Sequence, residues 1–390
     1  MIREKYNLIQ ELQQKNKELV GKKKLALVGQ GDFTGGNNVM RQAMNIKHHS
    51  QHLTIDNPEF PFIYDGKENV TGKYSSFYSK ADKDYEVIEV CKKYDQLLAG
   101  KSYIALYFLH CKDDDSYKVV YRKEVEDLTE NFGFQYNNSF LDNVEKGDKI
   151  DKGTVIYSST SYDDSMNVGT GINGRILYAV HPAVQDDAII ISESFAKRGV
   201  INDVHRITIP ISENTILLDL WGKDGEYQGL PNIGDTVNGG IIAATRAIRE
   251  SRMFSDMRDI SLHNINAQSD HVYYGDGEVI DINIYSNMKD LKPNKVNRQL
   301  LQYYTDAKWF YTKVYKTCKA IVKSGSTKID KEIHRWMRLS MNYLDTNALW
   351  AFNDNVFSGM MVEILIRRKE SINIGRKIVG FPLMADFKLS

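Results

Sequence analysis

From residue 147 onward the chain alternates strand-like pieces with glycine turns. The turns fall at Gly147-Asp148, Lys152-Gly153, Asn173-Gly174, Gly234-Asp235, Gly239-Gly240 and Gly275-Asp276-Gly277. This texture constrains the fold more than any other feature, because short strands at such spacing point to barrels or sandwiches. Residues 278–285, Glu-Val-Ile-Asp-Ile-Asn-Ile-Tyr, alternate apolar and polar from Ile280 onward and predict a half-buried strand. The pattern then switches to a helical period over 297–324, with Leu300, Leu301, Tyr304, Phe310, Val314 and Ile321 on or near one face. Gly325 suits the left-handed residue that closes such a helix. A second helix is expected over about 329–352 and a last strand at Met361–Ile366, with Arg367-Arg368-Lys369 and a turn at Gly375 after it. The fold class is therefore α+β.

The first half of the chain is less regular. Residues 2–19 carry an amphipathic helical spacing that ends near Gly21, residues 29–38 read as a loop, and residues 38–49 as a short helix. Residues 102–109 and 117–121 read as strands joined by a turn at Asp113-Asp114-Asp115. No period of 20–50 residues recurs, which argues against a solenoid.

Composition excludes several classes. Lys and Arg total 51 against 51 Asp and Glu, so the chain is not a strongly basic coat for nucleic acid, although local basic patches remain open. Hydrophobic residues at 42% and charged residues at 26% are ordinary for a packed chain of 390 residues. Cys91, Cys111 and Cys318 are odd in number, far apart and without a Cys-x-x-Cys pair, which fits a reducing compartment and argues against a disulfide scaffold or a zinc knuckle. No apolar run approaches a membrane span and the N-terminus lacks a signal-peptide core, so a cytosolic protein is expected.

Four segments could carry chemistry. Lys146–Ile156 places two glycine turns around an extended piece. Asp186-Asp187 precedes the apolar run Ala188-Ile189-Ile190-Ile191 and Ser192-Glu193, read as two acids at the entrance of a buried strand. Such a pair is either a solvated strand end or a positioner of water and metal near phosphate; it seldom holds Mg²⁺ alone. Arg367–Gly380 puts five basic residues around a glycine turn, either as a solvated loop or as phosphate contacts. Asn37–His52 crowds amides, Arg41, Lys47, His48, His49 and His52 together without the spacing of a metal site, and reads best as a helix facing RNA or a triphosphate.

Taken in order, these segments resemble the β subunit of multisubunit DNA-directed RNA polymerases. Asn38 and Asn45-Ile46-Lys47-His48-His49 match the family's Asn-Arg-Ala-Leu-Met-x-x-Asn-Met-Gln-Arg-Gln segment. Gly147 to Ile156 matches Gly-x-x-Val-x-Lys-Gly-x-Val-Leu-Ala, and Ala183 to Glu193 matches Tyr-Asn-Tyr/Phe-Glu-Asp-Ala-Ile-x-Ile-Ser-Glu. Ile233 to Ile242 is similar to Val-Gly-Asp-x-Val-x-Gly-Gly-Asp-Ile-Leu, and Arg367 to Gly380 to Lys-Arg-Lys-x-x-x-Gly-Asp-Lys-Met-Ala-Gly. Two positions depart. Val39 stands where the family has arginine, and Arg376 where it has aspartate before the lysine. After Gly380 the sequence leaves the family pattern, whose next segment carries a second active-centre lysine.

The resemblance implies a fold with β-barrel or sandwich elements, a flap region and inserted helices. It divides the chain into a hybrid- and nucleotide-facing part (1–100), a β-rich part with the Asp-Asp pair (101–205), a flap-like region with long helices (206–360) and the start of the lysine motif (361–390). Lys377 matches an active-centre lysine that contacts phosphates; Asp187, with Asp186, matches the outer shell of a catalytic Mg²⁺. Asn38, Arg41, Asn45, Lys47, His48 and Arg376 fall on the nucleotide and nucleic-acid side. The Asp-x-Asp-Gly-Asp loop that holds Mg²⁺ belongs to a β′-like partner and is not found in this sequence. The expected activity is nucleotidyl transfer only within a complex. Its partners would be the remaining β part, β′-like chains, a promoter-specificity factor, DNA, RNA and nucleoside triphosphates, with no membrane. A split β subunit of a giant tailed bacteriophage is the expected source, acting in the host cytoplasm or packaged in the virion. The alternative is a non-catalytic β-like scaffold or nucleic-acid-binding protein.

Overall fold

A computed structural model describes Glu59, most of residues 78–159, parts of 162–175, and most of 190–247, 269–288, 298–345 and 349–372. The expected helices at 2–19 and 38–49 lie outside the described residues.

In chain order the elements are β1 (Ser79–Lys80), β2 (Tyr85–Lys92), β3 (Ala105–Cys111), β4 (Ser116–Arg122), β5 (Val125–Leu128), β6 (Phe132–Asn137), β7 (Lys149–Ile150), β8 (Val155–Ser159), α1 (Glu193–Arg198), β9 (Ile201–Ile211), β10 (Thr215–Leu217), β11 (Thr236–Ala247), β12 (His271–Ser286), α2 (Arg298–Lys323), β13 (Lys328–Ile329), α3 (Lys331–Leu344), β14 (Ala351–Phe352), β15 (Asn355–Val356) and β16 (Met360–Glu370). The molecule is mixed, mostly sheet with few helices.

A nine-stranded sheet runs β1-β8-β6-β9-β16-β12-β11-β10, with β5 on β6, and a five-stranded sheet runs β13-β4-β3-β2-β7. Among the described strands both orders are open paths. The pairings are antiparallel apart from β13 on β4. β3 explains the layering of the smaller sheet: Ala-Leu-Tyr-Phe-Leu-His-Cys is buried on both faces. Leu106 and Phe108 join Cys91 and Val119 under α2, while Tyr107, Leu109 and Cys111 point into a second core with Tyr85, Ile150 and Ile156. Burial pushes the Cys91 and Cys318 thiols up to about 12, so both stay protonated packing groups.

α2 joins the two sheets. Its buried positions, Leu300, Tyr303, Ala307, Phe310, Val314, Cys318 and Ile321, recur every three or four residues and form one stripe. At about 1.5 Å per residue a helix of 26 residues is roughly 39 Å long, enough to cross from one sheet to the other. Leu300, Tyr303 and Ala307 pack on the nine-stranded sheet with Ile282, Ile284 and Val362, whereas Phe310, Val314, Cys318 and Ile321 pack on the five-stranded one. Gly325 follows it at φ +84°, as its sequence position implied.

Three expected boundaries are corrected. The second helix ends at Leu344, not near 352; Asp345 is extended, and the short β14–β15 ribbon occupies 351–356. Gly275-Asp276-Gly277 is no turn but lies within β12, which starts at His271. A Cβ on Gly277 would meet the Arg367 carbonyl oxygen at 2.3 Å, and Gly277 sits at φ +119°, so only glycine lets β12 and β16 approach there. The last strand begins at Met360 and continues through Arg367-Arg368-Lys369 to Glu370.

Candidate functional site

All nine residues singled out for chemistry, Asn38, Arg41, Asn45, Lys47, His48, Asp186, Asp187, Arg376 and Lys377, lie outside the described residues. The chain flanking three of the four segments is described, and those flanks meet at α1.

Ser192 starts α1. It is extended (φ −70°, ψ 149°) and its side chain accepts a hydrogen bond from the Phe195 N–H at 3.2 Å, the usual satisfaction of a free amide at a helix start. Glu193 follows in the first turn, where a carboxylate favours the helix dipole, and Lys197 pairs with it at 2.6 Å. The Ser-Glu of this segment is thus accounted for by helix initiation. Ile190 is 60% exposed and lies outside any strand, which corrects the expected buried strand at its described end.

Arg198, at the end of α1, forms an ion pair with Glu59. Glu59 lies seven residues past His52. Its carboxylate also accepts from the Asn173 backbone N–H at 3.0 Å and side-chain amide at 3.2 Å. The Asn173 N–H, more than the arginine, holds the Glu59 carboxyl below its usual range. On the other side, the Ile372 N–H donates to the Ala196 carbonyl at 3.4 Å. A Cβ on Gly199 would sit 2.3 Å from Ile372 Cδ1, so the Ile372 side chain at the exit of β16 lies close against the end of α1. Ile372 is five residues before Lys377, and α1 begins six residues after Asp187. The register agrees, since β9, which follows α1, pairs Ile201 with Glu370 of β16.

The basic run Arg367-Arg368-Lys369 is neither a loop nor open to phosphate through its first two members. Arg367 stands directly opposite Glu278 on β12 and bonds it at 2.5 Å, with Glu124 at 3.6 Å. Tyr103 donates to the other Glu278 oxygen at 2.9 Å; burial and that carboxylate push its hydroxyl up to about 12. Arg368 pairs with Asp276 at 3.1 Å and with Glu370. Of the five basic residues, Arg376 and Lys377 remain beyond the described part.

The two glycine-aspartate segments have structural explanations as well. At Gly147–Ile156, Gly147 and Gly153 sit at positive φ, and the chain passes from β7 in the smaller sheet to β8 in the larger. At Gly234-Asp235, the Gly234 N–H donates to the Val279 carbonyl and the Asp235 side chain accepts from the Asn232 N–H, both at 2.8 Å.

Sequence reasoning missed Glu59, Asn173 and Arg198. Glu59 and Arg198 have no periodic or motif signal and Asn173 has only that of a turn, because the partnership of Glu59 with the other two spans more than a hundred residues. Among the described residues no three His, Cys, Asp or Glu side chains are grouped to hold a metal ion, and no helix is long and apolar enough to cross a membrane. A Mg²⁺ site made by these residues alone does not fit what they present.

No family model matches the chain. It is 28% identical over 206 residues to the DNA-directed RNA polymerase subunit beta of Listeria welshimeri serovar 6b, and equally to those of Listeria monocytogenes and Listeria innocua. The matched stretch is 51% of this chain and 15% of the relative's length. Over half its length, then, the chain is similar to bacterial RNA polymerase β subunits.

Proposed function

We propose that this chain is a β-like part of a multisubunit DNA-directed RNA polymerase and contributes to its active centre. The identity of 28% over 206 residues carries the reading. The convergence at α1 of the chain after Asp187 and the chain before Lys377 supports a shared site for those two segments. In this reading Lys377 and Arg376 neutralise phosphate charge, an electrostatic role that needs a preorganised cation near developing negative charge. Asn38, Arg41, Asn45, Lys47 and His48 face the nucleotide and nucleic acid. Asp186 and Asp187 act at the outer shell of Mg²⁺ held by a β′-like partner, the ion supplying charge stabilisation to the attacking and leaving oxygens. Residues 206–360 are the flap-like region, with α2 and α3 as its helices. The chain has no catalytic activity without its partners.

The test is co-expression with neighbouring open reading frames, purification on this chain, and a transcription assay. A co-purifying partner bearing Asp-x-Asp-Gly-Asp and templated RNA synthesis are expected. In that complex Lys377→Ala leaves assembly intact and slows nucleotide addition by about 10²-fold or more. Elongation at the parent rate would remove Lys377 from the active centre, and recovery of the chain alone would favour a scaffold.

A further inference from the structure

We infer that Arg198 is a positioning residue for the active centre, an assignment that rests on the polymerase reading above. It ends α1, a helix of six residues with no buried side chain. A helix so short is marginal in water by itself, so the contacts it makes with other parts of the chain decide where it lies. Ser192 accepts from the Phe195 N–H and Lys197 pairs back to Glu193, which ties the helix only to itself. Two neighbours place it. The first is the exit of β16, whose Ile372 N–H reaches the Ala196 carbonyl at 3.4 Å. The second is the Asn173-Gly174 turn: a Cβ on Gly174 would sit 2.7 Å from Phe195 Cε2, so the Phe195 ring lies against that turn.

Arg198 ties this turn to the helix through Glu59. One oxygen of the Glu59 carboxylate takes the Asn173 backbone N–H and side-chain amide, at 3.0 and 3.2 Å, and the other takes the Arg198 guanidinium. The two Asn173 donors hold the carboxylate in one orientation, with its second oxygen turned to Arg198. A mobile surface pair has no such brace. The covalent chain carries the effect to the assigned residues, since Asp187 precedes α1 by six residues and Lys377 follows Ile372 by five. Where α1 lies therefore sets where both segments start. The Arg198 and Glu59 side chains are 50% and 39% exposed, so their pair adds little to stability and biases a placement by up to about fivefold. Nucleotidyl transfer feels such a bias, because reacting groups displaced by about 1 Å lose most of their rate.

The test compares variants of the full chain, in the co-expressed complex, by single-nucleotide addition. Arg198→Ala is expected to lower kcat by about threefold to fivefold, with KM for the nucleotide and the yield of complex at parent values. Glu59→Ala removes the Asn173 and Arg198 links together and should lower kcat by about tenfold. Adding Arg198→Ala to Glu59→Ala should cost nothing further, as for two groups acting through one contact. Arg198→Lys keeps a cation in reach of Glu59 and should recover most of the rate. Lys197→Ala, which loses the same charge one residue away, should run at the parent rate. In the chain alone, spin labels at Arg175→Cys and Lys197→Cys read the distance between turn and helix, the native Cys91, Cys111 and Cys318 being buried. Arg198→Ala should broaden that distance distribution. The inference is overturned by parent-rate addition in Arg198→Ala, by an equal loss in Lys197→Ala, by additive losses in the double variant, or by an unbroadened distribution. A parent complex that makes no RNA defeats the polymerase reading and this assignment with it, so the two failures differ in the parent's own activity.

Discussion

Two charged clusters in this molecule use similar groups to opposite ends. Between the sheets, Lys93 donates to both Asp281 oxygens at 2.8 and 2.9 Å and to the Asn283 side-chain oxygen at 2.6 Å. Asn283 passes the chain on to Glu363, which meets Arg206 at 3.2 Å. Lys93 is 4% exposed and follows β2 of the smaller sheet, whereas Asp281 lies on β12 of the larger. At α1, Glu59, Asn173 and Arg198 also join distant parts of the chain, but in water. A buried pair cannot come apart without stranding a charge, while an exposed pair exchanges its partner for solvent at little cost. The first cluster fixes how the sheets meet. The second leaves the junction beside the candidate site adjustable.

If burial sets the difference, the largest effect belongs to Lys93→Ala. It strands the Asp281 carboxylate in the seam and should cost about 3–5 kcal/mol in denaturant unfolding. The double variant Lys93→Met, Asp281→Leu removes both charges and should recover most of that loss, since an apolar replacement of a buried pair is often neutral. A single-variant loss below about 1 kcal/mol would put the seam on the same footing as a surface pair.

The seam also shows what the sequence could and could not reveal. The strand pair expected at 102–109 and 117–121, found at Ala105–Cys111 and Ser116–Arg122, the Asp113–Asp115 turn and the long helix were legible, because alternation and helical period are local signals. The second helix was read eight residues too long, since Leu349 and Trp350 continue an apolar spacing after the chain has left the helix at Asp345. The last strand was read too short for the converse reason: Arg367, Arg368 and Lys369 look like a loop until Glu278 and Asp276 on β12 are seen beside them. Lys93 and Asp281 are 188 residues apart, and no local pattern joins them. Of the candidate site, the motifs gave the residues and the fold gave the meeting of their flanks at α1; the nine residues themselves lie outside the described structure.

Arg367 tests the middle of the scale. It is 13% exposed, and its guanidinium meets Glu278 at 2.5 Å and Glu124 at 3.6 Å. Arg367→Ala leaves both acids with one remaining donor each, Tyr103 for Glu278 and Arg122 for Glu124. The expected loss is roughly 1.5–3 kcal/mol, the range for hydrogen bonds to charged groups. A loss as large as that of Lys93→Ala would mean that burial does not rank these pairs.

The smallest effect is expected at Glu59, and its pH dependence separates it from the others. Its carboxyl titrates below its ordinary value of 4.5, first because of the Asn173 N–H and then through the Asn173 amide and Arg198. A carboxylate whose pKa falls on folding contributes stability that is complete above the unfolded value and fades as pH drops through the folded one. Both partners are well exposed, so solvent screening keeps the contribution at or below about 1 kcal/mol. Glu59→Gln should therefore lower stability slightly at neutral pH and converge with the parent below pH 4.5. Arg198→Ala should do the same to a lesser extent, because the Asn173 N–H remains to hold the carboxylate. A neutral-pH loss of several kcal/mol in either variant would show that the α1 junction is as fixed as the seam.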